Sequence, residues 1–262
     1  MKHLFFTQRA GDTDGASLSV RMFNYLLVII LISAALWLSF YELNYQWNWQ
    51  DVYKYRGLFV SGWLTTIWIS LIALLLSVFI GFIFAIGQHS RFLPFYCFSK
   101  IYIELIRGTP LLVQILLFFY VIASAVHLEN RYVVGILTLA IFSGAYIAEI
   151  FRAGIESIGK SQIDSARAIG FTPVQTFRYV VLPQALRQTL PPLAGQFVSL
   201  IKDSSLLSII AISEFTLNAQ QINSSTFSTL ESYLPLAIGY LLLTLPISSL
   251  TRWLEKRMKY ET

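Results

Sequence analysis

Residues 57–88, GLFVSGWLTTIWISLIALLLSVFIGFIFAIGQ, run for 32 positions without Asp, Glu, Lys, Arg or His. An α-helix needs about 20 apolar residues to cross roughly 30 Å of bilayer hydrocarbon, so this run spans a membrane with room to tilt. Similar uncharged stretches occur at 23–41, at 108–126 (starting near Ile101), at 132–148 (continuing to about Arg152) and at 232–251. Two shorter ones, 188–201 and 204–213, flank Lys202-Asp203 and read as one interrupted element, which makes six segments. Lipid offers backbone N–H and C=O groups no partner, and the segments are too long and continuous for barrel strands, so helices are expected.

The composition of the 262-residue chain agrees. It is 56% hydrophobic and 13% charged, with a mean hydropathy of +0.63. An ordinary soluble domain carries about 25% charge, enough to cover its surface. Disorder is excluded too, because disordered chains are poor in apolar and aromatic residues. The fold class expected is an all-α polytopic membrane protein. Cys97 is the single cysteine, which rules out a disulfide framework and a cysteine metal cage. His3, His89 and His127 show no metal spacing, and no carboxylate pair suggests hydrolysis. The first segment follows the polar stretch Gly11-Asp12-Thr13-Asp14-Gly15 and lacks a small-residue cleavage site, so it reads as an uncleaved anchor.

The placement of Lys and Arg sets the orientation. With the N-terminus inside, the inner segments hold 14 of the 19: Lys2, Arg9, Arg21, Arg91, Lys100, Arg152, Lys160, Arg167, Arg178, Arg187, Arg252, Lys256, Arg257 and Lys259. The outer loops hold three, Lys54, Arg56 and Arg131, while Arg107 and Lys202 fall within segments. Both termini are therefore expected in the cytoplasm, and the net charge of +5 needs no nucleic-acid partner. The outer loop is rich in Trp and Tyr (Tyr45, Trp47, Trp49, Tyr53, Tyr55), as suits a membrane–water interface.

The longest inner loop, 153–186, reads as two short helices. Ser161 and Asp164 have capping-box spacing and predict a helix over 162–169, with Gly170 at its C′ position. Thr172 and Pro173 then suit the N-cap and N1 positions of a second helix, supported by Gln175 and stopped at Leu182-Pro183. The loop reads either as an amphipathic connector on the membrane or as a docking element. It also contains Gly154-Ile155-Glu156-Ser157-Ile158-Gly159-Lys160-Ser161, which fits the P-loop pattern letter for letter. A real P-loop follows a buried strand within an α/β domain; here the preceding residues end a membrane helix, so the match is read as coincidence.

At this loop the chain resembles the membrane subunits of type I ABC importers. Their signature is E-A-A, three residues, G, nine residues, then I-x-L-P. Asp164-Ser165-Ala166, Gly170 and Val180-Val181-Leu182-Pro183 fall at that spacing, with Asp for Glu and Ser for Ala. Ile106-Arg107-Gly108-Thr109-Pro110-Leu111-Leu112-Val113-Gln114 is similar to a stretch of polar amino-acid permeases of the histidine, glutamine and arginine type. So are residues 181–187 and 199–206, and the stretch near Gly62-Trp63-Leu64-Thr65-Thr66 resembles the usual start of the transport core. The resemblance covers about residues 58–253. It implies a transport core of five helices, to which the chain adds an N-terminal transmembrane helix. The organisation expected is a cytoplasmic segment 1–21, an anchor 22–41, an external loop 42–57, the transport domain 58–253 and a cytoplasmic tail 254–262.

The resemblance further implies an importer in the bacterial cytoplasmic membrane. Two permease subunits, identical or related, sit in the lipid. A dimer of cytoplasmic ATP-binding subunits docks on the coupling helix at Asp164, Ser165, Ala166, Arg167 and Gly170. An external solute-binding protein delivers a polar amino acid. The ATP is used by the partner, and no cofactor is expected on this chain. ATP binding pulls the coupling helices together and switches the pathway from inward-facing to outward-facing, a bistable element biased by a ligand. A secondary transporter or channel for a small polar solute is the alternative; it would need no cytoplasmic motor and would usually show internal repeats.

Charges inside a membrane are costly and rare, so each is examined for function. Glu104 and Arg107, three apart, read as an ion pair on one helix face. Gly108-Thr109-Pro110 breaks the helix, which is tolerated where backbone faces protein or a water-filled cavity. That makes Thr109 and Gln114 candidates for the pathway. Glu149, close to Tyr146, reads either as a helix-end carboxylate paired with Arg152 or as a contact for a substrate ammonium. Asp203 or Ser204 is a further pathway candidate, and Pro191-Pro192 a candidate kink.

Overall fold

In a computed structural model the structure describes residues 18–41 and 45–258. Lys2, Arg9, most of the N-terminal segment, Glu42 and Lys259 lie outside the described residues. Two units are distinguished, Met1–Asn48 and Trp49–Thr262. The first contains helix α1, Leu18–Tyr41, with a mean hydropathy of 2.1 over its apolar part.

The second unit holds the remaining helices: α2 (Trp49–Lys54), α3 (Arg56–Gln88), α4 (Leu93–Arg107), α5 (Leu111–Leu117), α6 (Arg131–Glu156), α7 (Lys160–Ala168), α8 (Pro173–Thr176), α9 (Leu182–Asp203), α10 (Phe215–Thr226) and α11 (Thr229–Met258). π-Turns follow α5 (Phe118–Ala123) and α8 (Phe177–Val181), and a 3₁₀ segment, Ser204–Ile210, follows α9. Among the described residues there is no strand. Five helices or continuous helical runs are long and apolar enough to cross a membrane. The bent pair Leu93–Arg107 and Leu111–Ala123, turned by 109° at the Gly108-Thr109-Pro110 break, makes a sixth if counted as one span.

The 32-residue uncharged run is α3, and it lies parallel to α6. Trp68 stacks on Tyr132 at one end, and Gly81 meets Ile147 further along. The approach is close: a Cβ on Gly81 would fall 2.5 Å from Ile147 Cγ2, and one on Gly144 2.7 Å from Ile80 Cγ2. Water does not drive helices together in lipid, so this small-residue seam supplies the van der Waals contact that holds the pair. Ile69, Ala73, Ile115, Leu139, Leu200, Leu207 and Ile212 fill the centre of the unit.

The polar loop departs from its sequence reading in two places. Helix α7 starts at Lys160, with Gly159 at its N-cap and no side-chain cap, so Ser161 and Asp164 form no capping box. Asp164 lies instead 3.6 Å from Arg167. Pro183 does not stop a helix either. The π-turn at Phe177–Val181 ends one hydrogen-bond register, and Pro183 enters the first turn of α9, where a missing N–H costs nothing. Beyond the loop, Lys202-Asp203 stands where α9 gives way to the 3₁₀ segment, so the interrupted element expected there is one helical run, Pro173–Ile210, that tightens at this point. The other two signals hold. Thr172 Oγ1 accepts from Gln175 N while Thr172 N donates to Gln175 Oε1. Gly170 takes φ +88°, and Phe171 N donates to Ala166 O to close α7.

Candidate functional site

Two sites lie toward the end of the helical unit where α3 and α6 finish. The first is a charged cavity of about 350 Å³ bordered by Gln88, Tyr96, Lys100, Glu104, Arg107, Glu149, Arg152 and Glu156. Its centre is Glu149. Arg152 grips it through two 3.0 Å hydrogen bonds from Nε and Nη2, and Arg107 Nη1 lies 3.0 Å from Oε2. The expected pair of Glu104 with Arg107 does not form. Arg107, the last residue of α4 before the bend, crosses to α6, while Glu104 lies 4.0 Å from Lys100. Arg152 also binds Glu156, whose carboxylate is 3.8 Å from His89. The Arg107 guanidinium sits 5.4 Å above the Tyr146 ring. Three carboxylates therefore answer three cations in the cavity.

The break beside Arg107 is closed by Gln114, which is buried. Its Nε2 donates to Ile106 O at 2.7 Å and Thr109 O at 3.2 Å, carbonyls that the bend leaves without helix partners, and to Thr109 Oγ1 at 2.8 Å. Its Oε1 has no partner. Of the pathway candidates, Tyr146 and Glu149 thus share the cavity region with Arg107, and Thr109 and Gln114 stand together at its bend. Asp203 and Ser204 lie at the opposite end of α9, about 30 Å of helix from its start. Ser204 is fully buried and donates to Ile201 O.

The second site is α7. Asp164, Ser165, Arg167 and Gly170 are exposed, whereas Ala166 faces inward and is 4% exposed. Ile169 and Val174 present apolar side chains to the outside. The helix is fastened to the base of α9 by Gln184 Nε2 donating to Gln162 Oε1 at 2.5 Å and by an apolar cluster of Ile158, Ile163, Val181 and Ala185. Residues Gly154–Glu156 of the P-loop look-alike end α6, and Lys160 begins α7. That is helix, turn, helix, without the strand and phosphate cradle of a nucleotide site.

Sequence reasoning passed over a polar centre at the far end. Glu214, between spans and fully buried, caps α10: its carboxylate accepts from Thr216 N at 2.8 Å and Leu217 N at 2.7 Å, and from Tyr240 Oη at 3.2 Å. Burial pushes its pKa up to about 6, against the pull of those hydrogen bonds. The only signal in the sequence was a charge amid uncharged residues.

Residues 77–260 match the family described as binding-protein-dependent transport system inner membrane component. The chain is 35% identical over 216 residues to the glutamine transport system permease protein GlnP of Escherichia coli (strain K12), covering 82% of this chain and 99% of that one. It is 35% identical over 203 residues to the probable glutamine ABC transporter permease protein GlnM of Bacillus subtilis (strain 168), covering 78% and 94%. Among solved structures, an amino acid ABC transporter crystallised with histidines matches at a TM-score of 0.77 and 35% identity, covering 81% of this chain and 100% of the other. The MetNI methionine ABC transporter, inward facing, matches at 0.65 with 16% identity, over 78% and 98%, a likeness of fold.

Proposed function

This chain belongs to the family of binding-protein-dependent transport system inner membrane components, and we propose that it imports a polar, uncharged amino acid of the glutamine type. It is the membrane-spanning permease subunit of an ATP-driven importer, and ATP hydrolysis belongs to a separate subunit. The observation that carries the substrate reading is the 35% identity to a glutamine permease across 99% of that permease's length. The cavity around Glu149 supports it, because Lys100, Arg107 and Arg152 are matched by Glu104, Glu149 and Glu156 and leave no surplus charge for an acidic or basic side chain. Thr109, Gln114 and Tyr146 shape its approach, and Asp203 and Ser204 belong to a more distant part of the pathway.

The docking partner is a dimer of ATP-binding subunits, met by Asp164, Ser165, Ala166, Arg167 and Gly170. The exposure of Asp164, Ser165, Arg167 and Gly170, with Ala166 buried on the inner side of the helix, supports this. A second permease, identical or related, completes the pathway, and an external solute-binding protein feeds it. Both termini face the cytoplasm in this reading, which the distribution of Lys and Arg supports.

The test is uptake by the complex reconstituted in liposomes with its ATPase and binding protein. ATP-dependent accumulation of L-glutamine is expected, exceeding that of L-glutamate and L-arginine. Gly170→Arg should abolish uptake and co-purification of the ATPase while the chain still inserts. Uptake by the chain without any ATPase subunit would instead support a secondary transporter.

A further inference from the structure

Three residues other than glycine adopt left-handed backbone: His127 (φ 55°), Ala211 (φ 57°) and Phe227 (φ 55°). Each ends a helical segment. Leu128 N donates to Ala123 O, Ile212 N to Leu207 O, and Phe227 N to Asn223 O at 2.8 Å. All three lie toward the end of the helical unit opposite α7, the end at which α3, α6 and α11 begin. Arg131 Nη1 joins two of these stops by donating to Ala211 O at 3.0 Å. The far end is thus closed by tight, fixed turns.

Phe227 stands out among them. It is 88% exposed, the highest value of any large hydrophobic side chain among the described residues. A left-handed residue with a Cβ costs roughly 1–2 kcal/mol, and the phenyl ring recovers little of that through packing. The turn is nevertheless held firmly. Thr226 Oγ1 donates to Ile222 O at 2.8 Å and accepts from Ser228 N, and Ser228 is buried beneath. Strain that the fold maintains without a packing return points to use of the side chain. Exposed positions around the ring in the chain, Gln220, Gln221, Ser224, Ser225 and Thr229, are polar and uncharged. An aromatic knob inside a polar rim is the pattern of a protein–protein anchor. A lipid-facing site would use cations for phosphate; residues 203–251, which carry the ring, contain no Lys or Arg, and Arg131 at this end is committed to Ala211 O.

We infer that Phe227 is the anchor of the surface on which the external solute-binding protein lands, with the turns at His127 and Ala211 forming part of the same rigid face. This rests on the reading of α7 as the cytoplasmic docking helix, which makes the opposite end the outer one. Fixed turns suit such a role, since a surface already in its bound shape spends little binding energy on ordering.

The experiment uses the reconstituted complex and the solute-binding protein of the same source, loaded with L-glutamine, and follows stimulated ATP hydrolysis against binding-protein concentration. Phe227→Gly should raise the half-saturating concentration about tenfold or more. Its thermal unfolding midpoint should hold or rise, because glycine takes this backbone without penalty. Phe227→Trp should keep the wild-type concentration dependence. Equal dependence for wild type and Phe227→Gly overturns the inference and leaves the importer reading in place. A lowered midpoint in Phe227→Gly also overturns it, by showing that the ring serves the fold. A wild-type complex that the binding protein does not stimulate overturns both.

Discussion

At Glu214 a charge is retained where burial opposes it. Desolvation favours the protonated acid, while two backbone N–H groups at the start of α10 and the Tyr240 hydroxyl favour the carboxylate. Desolvation is the larger effect, so the pKa rises from its ordinary 4.5 to about 6. The folded protein therefore holds this proton more tightly than the unfolded chain. The corresponding stability is fully present below pH 4.5 and is lost as pH rises through about 6. The loss is at most about 2 kcal/mol, from 1.36 kcal/mol per pH unit. Glu214→Gln keeps an oxygen for the helix cap but cannot titrate. Between pH 7 and pH 4.5 the wild-type unfolding midpoint should rise relative to that of the variant. A gap between the two that stays constant over this range would show that Glu214 titrates normally. Glu149 illustrates the other solution: two guanidiniums and a position 21% exposed let a carboxylate remain at the edge of the span.

Helix α7 owes its stiffness to the base of α9 beneath it. The Gln162–Gln184 bond and the Ile158, Ile163, Val181, Ala185 cluster join the docking helix to a long helix that runs the depth of the membrane. With the ATPase docked on α7 as proposed, movement of α7 would pass to α9 directly. Gln184→Met keeps length and helix propensity but removes the bond, at a cost of about 1 kcal/mol. The ATPase should still co-purify, yet less substrate should be moved per ATP hydrolysed; an unchanged ratio would remove Gln184 from the transmission path. How far such elements could be read from sequence depended on the range of the contacts that decide them. Gly170 and the Thr172–Gln175 box are local, set by one turn's hydrogen bonds, and both were legible. Arg107 was assigned to Glu104 because only intrahelical spacing is visible in a sequence. The 109° bend that turns it toward Glu149 depends on packing against α6. Ser161 does not act as a cap because α7 begins two residues earlier than the capping signal placed it, with Gly159 at the N-cap. Pro183 was read as a stop because a π-turn, which absorbs the change of register, leaves no mark in side-chain periodicity.

For the whole molecule, the question is what α1 adds. The Escherichia coli relative is matched along 99% of its length by 82% of this chain, and residues 77–260 carry the family match. The described packing of α3, α4, α6, α9, α10 and α11 lies within residues 49–262. Transport should therefore survive removal of residues 1–48, measured per assembled complex. Insertion is a different matter. In the proposed orientation α3 has Lys54 and Arg56 on its outer side against Arg91 and Lys100 on its inner side, so its own flanking charges set no direction. In that orientation Lys2 and Arg9 ahead of α1, with Arg21 in its first turn, would hold the N-terminus inside, so that the chain reaches α3 from the outer side. The truncated chain should give fewer correctly oriented molecules, read from topology reporters placed after Met258, and normal uptake for each one that assembles with its ATPase. Neutralising Lys54 and Arg56 in the truncated chain should recover insertion. Full insertion with lost uptake would instead place α1 within the transport machinery.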